Sequence, residues 1–449
     1  MGRRSHHQSL SVWANGFRVG VWTLPTRGES QWRYDTDWMT SAEGRPLSLS
    51  LPFVAPGQPQ TGPRVTHYFD NLLPDSDVIR KRIATRFGTA STDPFDLLKA
   101  IGRDCVGAIQ LLGEDEVPSD VHRVDASPLT DEDLERGIVE ATSSTGFAAR
   151  HDPEADLRIS LAGAQEKTAL LRWNGRWQRP HGSTPTTHIF KLPLGLVGGR
   201  QADFSTSVDN EWLCLRLMKA YGLDVADASI ETFGNQRVLS VERFDRRVAA
   251  DGQWIMRLPQ EDFCQVMGLS PLRKYENDGG PGLKDLFATL RQSTHADDDM
   301  KTLMTTQILF WLLRAPDGHA KNFSIRLLPG GRFRLTPQYD VMSVYPVIGT
   351  GPNHWSPREV RLAMALLGKN RHYDVQSIQR RHFNSTARKV AYGESAEPLI
   401  EEILARTPAA IDDVAACLPA GFNMAVADSI FAGLRMAAAS LAAMPAYGT

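Results

Sequence analysis

Ala315-Pro316-Asp317-Gly318-His319-Ala320-Lys321-Asn322-Phe323-Ser324, read together with Leu335-Thr336-Pro337-Gln338-Tyr339-Asp340, is the stretch around which the chain is organised. It sets a carboxylate and a carboxamide five residues apart, Asp317 and Asn322, and follows them with a second carboxylate, Asp340. One aspartate in such a set can take a proton from a hydroxyl, while the asparagine and the other aspartate offer hard oxygen ligands to magnesium. These are the parts of a phosphoryl-transfer site. Singly they are weak, because Asp-Gly is ordinary turn chemistry, so the order of parts upstream has to carry the case.

The totals set the frame. A chain of 449 residues can hold two or three domains and a large core. Its 50 basic residues nearly balance its 52 acidic ones, so no global field points to nucleic acid or a membrane, and any basic patch must be local. The four cysteines, Cys105, Cys214, Cys264 and Cys417, are far apart and form no metal or disulfide framework. They fit a reducing compartment. The amino terminus is polar, and the longest strongly apolar run, residues 308–313, is too short to cross a bilayer. The expectation is a soluble cytoplasmic protein with no membrane partner.

In chain order, residues 1–120 read as an α+β module. Pro46-Leu47-Ser48-Leu49-Ser50-Leu51-Pro52 alternates with period two and predicts a half-buried strand. A basic helix from Asp77 to Phe87 is stopped by Gly88, and Asp93-Pro94 opens another that Gly102 closes. Residues 121–155, acidic with small residues and prolines, read as a connector with one short helix. Residues 156–260 form a β-rich nucleotide-binding part, and residues 261–449 a mainly helical lobe carrying the catalytic and metal-binding motifs.

Within the β-rich part, Ser160-Leu161-Ala162-Gly163-Ala164-Gln165-Glu166-Lys167 is a small-residue centre between strand-like ends, a turn whose amides could approach phosphate or simply close a hairpin. Lys191 lies in an apolar strand, where an unpaired ammonium is costly. Glu211, 20 residues on, falls in the first turn of a helix on one stripe with Leu215 and Met218, so it should face inward. A strand lysine and an inward helix glutamate are the pair that protein kinases use to position the α and β phosphates. Further on, the strand 238–241 ends where polarity rises. There Glu242, Arg243 and Phe244 stand where a hinge could bond an adenine edge, or merely end a surface strand. Tyr275-Glu276-Asn277-Asp278-Gly279-Gly280-Pro281-Gly282 lacks the Lys-Ser/Thr pair of a phosphate loop and reads as a helix start. Residues 369–389 hold Lys369, Arg371, Arg380, Arg381, Arg388 and Lys389 against one acid, Asp374, which suits a solvated helix face or contact with DNA phosphates.

Four stretches together resemble one family: Ile159-Ser160-Leu161-Ala162-Gly163-Ala164-Gln165-Glu166-Lys167-Thr168-Ala169-Leu170-Leu171, Arg257-Leu258-Pro259-Gln260-Glu261-Asp262, Asp317-Gly318-His319-Ala320-Lys321-Asn322, and Phe69-Asp70-Asn71-Leu72-Leu73-Pro74-Asp75-Ser76. They are similar to the HipA serine/threonine-kinase toxins of bacterial type II toxin–antitoxin systems, over nearly the whole chain.

The resemblance implies an α+β, two-lobed, kinase-like fold with an added amino-terminal module, and MgATP-dependent phosphorylation of a serine in a translation enzyme, expected to be glutamate-tRNA ligase. It makes Asp317 the catalytic base and Asn322 and Asp340 the magnesium ligands. Ala162, Gly163, Ala164, Gln165, Glu166, Lys167 and Lys191 would hold ATP phosphates with Glu211 as the lysine's partner. Glu242, Arg243 and Phe244 would hold the adenine, and His319 and Tyr339 would line the nucleotide site. Ser160 falls on the family's autophosphorylation serine, where a dianion beside the ATP phosphates should switch the enzyme off. The implied partners are a HipB-like helix-turn-helix antitoxin and, through it, operator DNA, with Lys369, Arg371, Arg380 and Arg381 as DNA-contact candidates. The competing expectation is a catalytically silent scaffold that serves only as the antitoxin's corepressor.

Overall fold

The computed structural model describes residues 7–142, 165, 167–198 and 201–446. Its amino-terminal part is built on a hairpin of β1 (Gln8–Ala14) and β2 (Phe17–Leu24), turned by Asn15-Gly16 at φ 48° and 88°. Asn-Gly takes this left-handed pair at little cost, which is why it closes two-residue hairpins. β3 (Gln31–Tyr34), β4 (Gln60–Thr61) and β5 (Ile109–Gly113) complete a sheet of order β4-β3-β2-β1-β5. Helices α1 (Thr36–Thr40), α2 (Pro63–Asp70), α3 (Asp77–Phe87) and α4 (Pro94–Ile101) accompany it. Trp22 stacks on Phe69 of α2 at 4.0 Å and meets Phe95 of α4 at 4.9 Å, so aromatic area holds helices to sheet. As the sequence predicts, Gly88, at φ 60°, ends α3, and the Ser76 side chain caps its start.

The alternating stretch 46–52 is not a strand but a tight turn, closed by the Leu51 amide on the Ser48 carbonyl at 3.1 Å. Leu47 and Leu51 are buried as alternation predicts, but Ser48 is buried beside them and Leu49 only half-buried, so the burial does not alternate. The polar groups of the stretch, however, go to a side chain instead of a neighbouring strand. Ser48 Oγ donates to Glu261 at 2.5 Å, and the Leu49 amide donates to the same carboxyl at 2.9 Å.

The second sheet has the order β12-β13-β9-β7-β8-β6. Its strands are β6 (Ala126–Pro128), β7 (Lys167–Trp173), β8 (Arg176–Pro180), β9 (His188–Lys191), β12 (Ala228–Phe233) and β13 (Gln236–Glu242), while β10 (Leu196–Val197) and β11 (Ala202–Asp203) pair separately. Gly234-Asn235 turns β12 into β13. The connector is more than a link. It supplies β6 as the edge strand, and α5 (Asp131–Thr142) packs Leu134 and Ile138 against Leu170, Phe190, Phe233 and Val238. On the other side lies α6 (Ser207–Ala220), buried along most of its length.

The rest is mainly helical, with small sheets. A ribbon of β14 (Arg246–Val248) and β15 (Ile255–Arg257) leads to β16 (Gln260–Asp262), which pairs with β17 (Ser324–Leu327) and through it with β18 (Phe333–Leu335). α7 (Phe263–Val266), α8 (Leu283–Leu290) and α9 (Ala296–Leu313) precede a second ribbon, β19 (Arg361–Leu367) with β20 (Arg371–Asp374). α10 (Arg380–Lys389), α11 (Glu397–Ala415) and α12 (Met424–Ala443) close the chain. α9 is buried all round from Leu303 to Leu313 and ends in the apolar run 308–313 within the core, which suits a rigid support for the motif that follows it. α12 is long and apolar enough to cross a membrane by length and composition, but Ile430, Phe431, Leu434 and Leu441 are buried in the same core. The architecture is α+β and two-lobed, with the amino-terminal module docked on both lobes.

That docking is polar and buried. Asp104 accepts from Arg246 at 3.0 Å, Arg257 at 3.2 Å and Arg243 at 3.4 Å, and Arg243 also pairs with Asp245 at 2.9 Å. Breaking one partner of such a cluster would leave a buried charge uncompensated.

Candidate active site

A cleft of about 700 Å³ runs between the six-stranded sheet and the helical lobe. Gln165, Lys167, Lys191, Glu211, Glu242, Arg243, Phe244, Asp317, His319, Asn322, Tyr339 and Asp340 all line it. Residues spread over 175 positions of sequence therefore meet in one cavity. Ser160, Ala162, Gly163, Ala164 and Glu166 lie outside the described residues.

Lys191, the last residue of β9, points its ammonium at Glu211 of α6 at 2.6 Å and at Asp340 at 2.8 Å. Glu211 faces inward, as its stripe predicts, but α6 starts at Ser207, so the glutamate belongs to the second turn and not the first. Burial alone would raise the Asp340 carboxyl, but the Lys191 and Lys167 ammonium groups overcome it and hold the group well below the usual carboxylate range. Asp340 is thus an anion at neutral pH. It sits at φ 59°, a conformation that Asp tolerates better than most residues. Lys167 goes the other way: burial and the neighbouring Lys191 charge push it down to about 8.

Asn322 is 5% exposed and donates through Nδ2 to the carbonyls of Asp317 at 2.8 Å and Asp340 at 3.3 Å. With the amine end fixed on two carbonyls, Oδ1 is the end left to accept or to ligate. Among the described residues there is no cluster of three or more His, Cys, Asp or Glu side chains suited to a metal. One carboxamide oxygen and one ionised carboxylate do fit magnesium, which is commonly held by one or two protein ligands together with substrate phosphates.

Asp317 is the exposed member, with 55% of its side chain accessible. Tyr275 donates its hydroxyl to Oδ1 at 2.6 Å, and His319 Nε2 lies 4.0 Å from Oδ2. The His319 and Tyr275 rings meet edge-on at 5.0 Å. Burial lowers the affinity of His319 for a proton, which keeps the ring neutral, and its buried Nδ1 has no hydrogen-bond partner among the described residues. Gly318 is required for space, since a Cβ there would fall 2.1 Å from a ring carbon of Phe310 in α9. Tyr339 donates to the Lys321 carbonyl at 2.8 Å and shares a 2.6 Å bond with Ser324, and its ring lies 5.6 Å from that of Phe244. Tyr339 and Phe244 therefore form one aromatic wall of the cleft.

Where β13 ends, the amides of Glu242 and Arg243 are bonded to the carbonyls of Asp227 and Thr187, at 2.8 and 2.9 Å. The amide of Phe244 is the one of the three without a backbone partner among the described residues. The Arg243 side chain turns away into the Asp104 and Asp245 cluster, so only its backbone can face a base.

Among the DNA-contact candidates, Lys369, Arg371 and Arg381 are exposed, and Arg371 also lies 3.5 Å from Glu276. Arg380 is a correction. It is 6% exposed and its guanidinium is held by Glu397 and Glu401 of α11, so it braces two helices and offers no charge to a phosphate.

Sequence reasoning missed Tyr275 and the ion cluster beneath the loop that carries Asp317 and Asn322. Lys321 donates to Asp262 at 3.1 Å and to both oxygens of Asn71, at 3.0 Å for the carbonyl and 2.9 Å for the side chain. Lys274 donates to Asp75 at 2.9 Å. The available signal was a lysine, Lys321, inside the central motif, which once buried had to find carboxylates somewhere.

Comparison with known proteins gives a consistent result. Residues 159–411 match the model of the HipA-like C-terminal domain and residues 10–112 that of the HipA N-terminal domain. The Y4mE protein of Sinorhizobium fredii is 36% identical over 344 residues, 75% of this chain and 78% of that protein. The serine/threonine-protein kinase toxin HipA of Shewanella oneidensis is 31% identical over 349 residues, 74% of this chain and 72% of that one. A solved complex of Shewanella oneidensis HipA, HipB and operator DNA aligns with a TM-score of 0.76 at 24% identity, covering 95% of this chain and 97% of the other, and so shares its fold.

Proposed function

The chain belongs to the HipA family and is a HipA-like kinase, and from that premise we propose that it is the toxin of a type II toxin–antitoxin pair, transferring the terminal phosphate of ATP to a serine or threonine hydroxyl of a translation enzyme. One observation carries the catalytic part: Lys191, Glu211 and Asp340 form a single ion cluster in the cleft that Asp317 and Asn322 also line.

Each residue then has a task. Lys191, aimed by Glu211, and the nearby Lys167 face the α and β phosphates. The Phe244 amide and the rings of Phe244 and Tyr339 receive the adenine. Asn322 Oδ1 and Asp340 would hold magnesium, which neutralises phosphate charge when bound. Asp317 takes the proton of the incoming hydroxyl as its oxygen bonds to phosphorus and ADP departs. The expected acceptor is glutamate-tRNA ligase, with Ser160 as the acceptor in cis. A HipB-like antitoxin and operator DNA are the proposed partners, supported by the matching solved complex, and the bacterial cytoplasm is the proposed site of action.

The test is incubation of the chain with γ-labelled ATP, magnesium and glutamate-tRNA ligase, beside an Asp317→Gln control. Label on the ligase that disappears in the control supports the proposal. An equally active control, or no label on either protein, overturns it.

A further inference from the structure

The catalytic loop does not stand on its own lobe alone. Asp317 is more than half exposed, so its carboxylate would swing freely unless something held it. Tyr275 holds it, through the 2.6 Å bond to Oδ1, and thereby leaves Oδ2 for an incoming hydroxyl. Tyr275 is placed in turn by its neighbour Lys274, whose ammonium lies 5.5 Å from the phenol ring centre and 2.9 Å from Asp75, and whose carbonyl accepts from the Ala320 amide at 3.0 Å. Asp75 comes from the amino-terminal module, just ahead of α3, and its other oxygen faces Lys321 at 3.7 Å.

These groups are well covered: side-chain exposure is 11% for Asp75, 15% for Lys274 and 4% for Lys321. Two ammonium groups, Lys274 and Lys321, face two carboxylates, Asp75 and Asp262. Burial alone would raise the Asp75 carboxyl, yet Lys321 and Lys274 hold it below its ordinary value, so the charge is present at neutral pH. Removing that charge would leave two cations facing one anion beneath the loop.

We propose that Asp75 is a positioning residue for phosphoryl transfer, acting through Lys274 and Tyr275 on the carboxylate of Asp317, so that the amino-terminal module completes the active site. The proposal rests on the kinase reading above. It predicts that Asp75 and Tyr275 act as one unit.

A double-mutant cycle tests this, with transfer from γ-labelled ATP to glutamate-tRNA ligase and to the chain itself as the readout. Asp75→Asn and Tyr275→Phe each keep size and packing. Each should lower kcat about tenfold, with KM for ATP unchanged, because a misaligned base costs rate and not nucleotide binding. The double variant should fall no further than the weaker single one. Asp70→Asn, which breaks the 2.7 Å pair with Arg80 inside the same module, should leave kcat unchanged. Unchanged kcat in Asp75→Asn, losses that multiply in the double variant, or an equal loss in Asp70→Asn would overturn the relay while leaving the kinase intact. A wild-type chain that labels neither protein would sink the kinase reading, and the relay with it.

Discussion

The ammonium of Lys191 lies 2.6 Å from the carboxylate of Glu211, both almost fully buried, and that same ammonium also carries Asp340 at 2.8 Å. One cation therefore answers two anions. Lys191→Met would leave both carboxylates facing each other, and losing the partner of a buried charge costs about 3–5 kcal/mol. Glu211→Gln keeps an acceptor oxygen and the Lys191 to Asp340 pair. Both variants should transfer phosphate poorly, but thermal unfolding should separate them, with Lys191→Met melting clearly lower. Equal melting temperatures would mean that the lysine is not the keystone of the cluster.

Gly318 gives a steric prediction. A Cβ at this position would fall 2.1 Å from Phe310 Cε2, and Phe310 is 4% exposed in α9 and has little room to retreat. Gly318→Ala should push the loop bearing Asp317 out of line and cut kcat on the order of 100-fold, the cost of roughly an ångström of misplacement. Adding Phe310→Leu should restore part of the rate by opening the space. If the double variant is no better than the single one, crowding against Phe310 is not the cause.

How far the sequence could be read follows from what each feature depends on. The bounds of α3 with its Gly88 stop and the inward stripe holding Glu211 are local, fixed by neighbours within a few residues, and were legible. Asp317, Asn322 and Asp340 were legible as members of one site because their types and order match what phosphoryl transfer needs, and all three line one cleft. The alternation at 46–52 marked Leu47 and Leu51 as buried but gave neither the buried Ser48 nor the absence of a strand, because Glu261, more than 200 positions away, bonds the Ser48 hydroxyl and the Leu49 amide. Arg380 read as a surface charge because its partners, Glu397 and Glu401, lie on the next helix. Tyr275, Lys274 and Asp75 escaped for a similar reason, since the link from Asp75 to Lys274 spans 199 positions of sequence.

Lys167 ties nucleotide binding to pH. Burial and the Lys191 charge set it near 8, so it carries a proton at pH 7 and loses it as pH rises through about 8. If it faces phosphate, KM for ATP should rise above pH 8, and ATP binding there should draw a proton onto the lysine. Calorimetry in buffers of differing ionisation enthalpy measures that uptake directly. Lys167→Arg, which stays charged throughout, should flatten the KM profile and abolish the uptake. Proton uptake of the same size in the arginine variant would assign it to another group.

Glu261 ties stability to pH through the joint between the amino-terminal module and the catalytic core. Its carboxyl is fully buried, and burial raises it to about 8, although Ser48 and the Leu49 amide both bond it. An unfolded glutamate titrates near 4.3, at about 1.4 kcal/mol per unit of difference. Between those two values the folded chain keeps a proton that the unfolded chain has released. Stability therefore declines as pH rises from about 4.3 to about 8 and levels off above, the total on the order of a few kcal/mol. Glu261→Gln is neutral at every pH, and its amide can accept from Leu49 while donating to Ser48. In paired chemical denaturations the variant should match the wild type near pH 5 and exceed it near pH 9, other titrations cancelling in the difference. A gap between the two that does not change with pH would show that the Glu261 proton takes no part in folding.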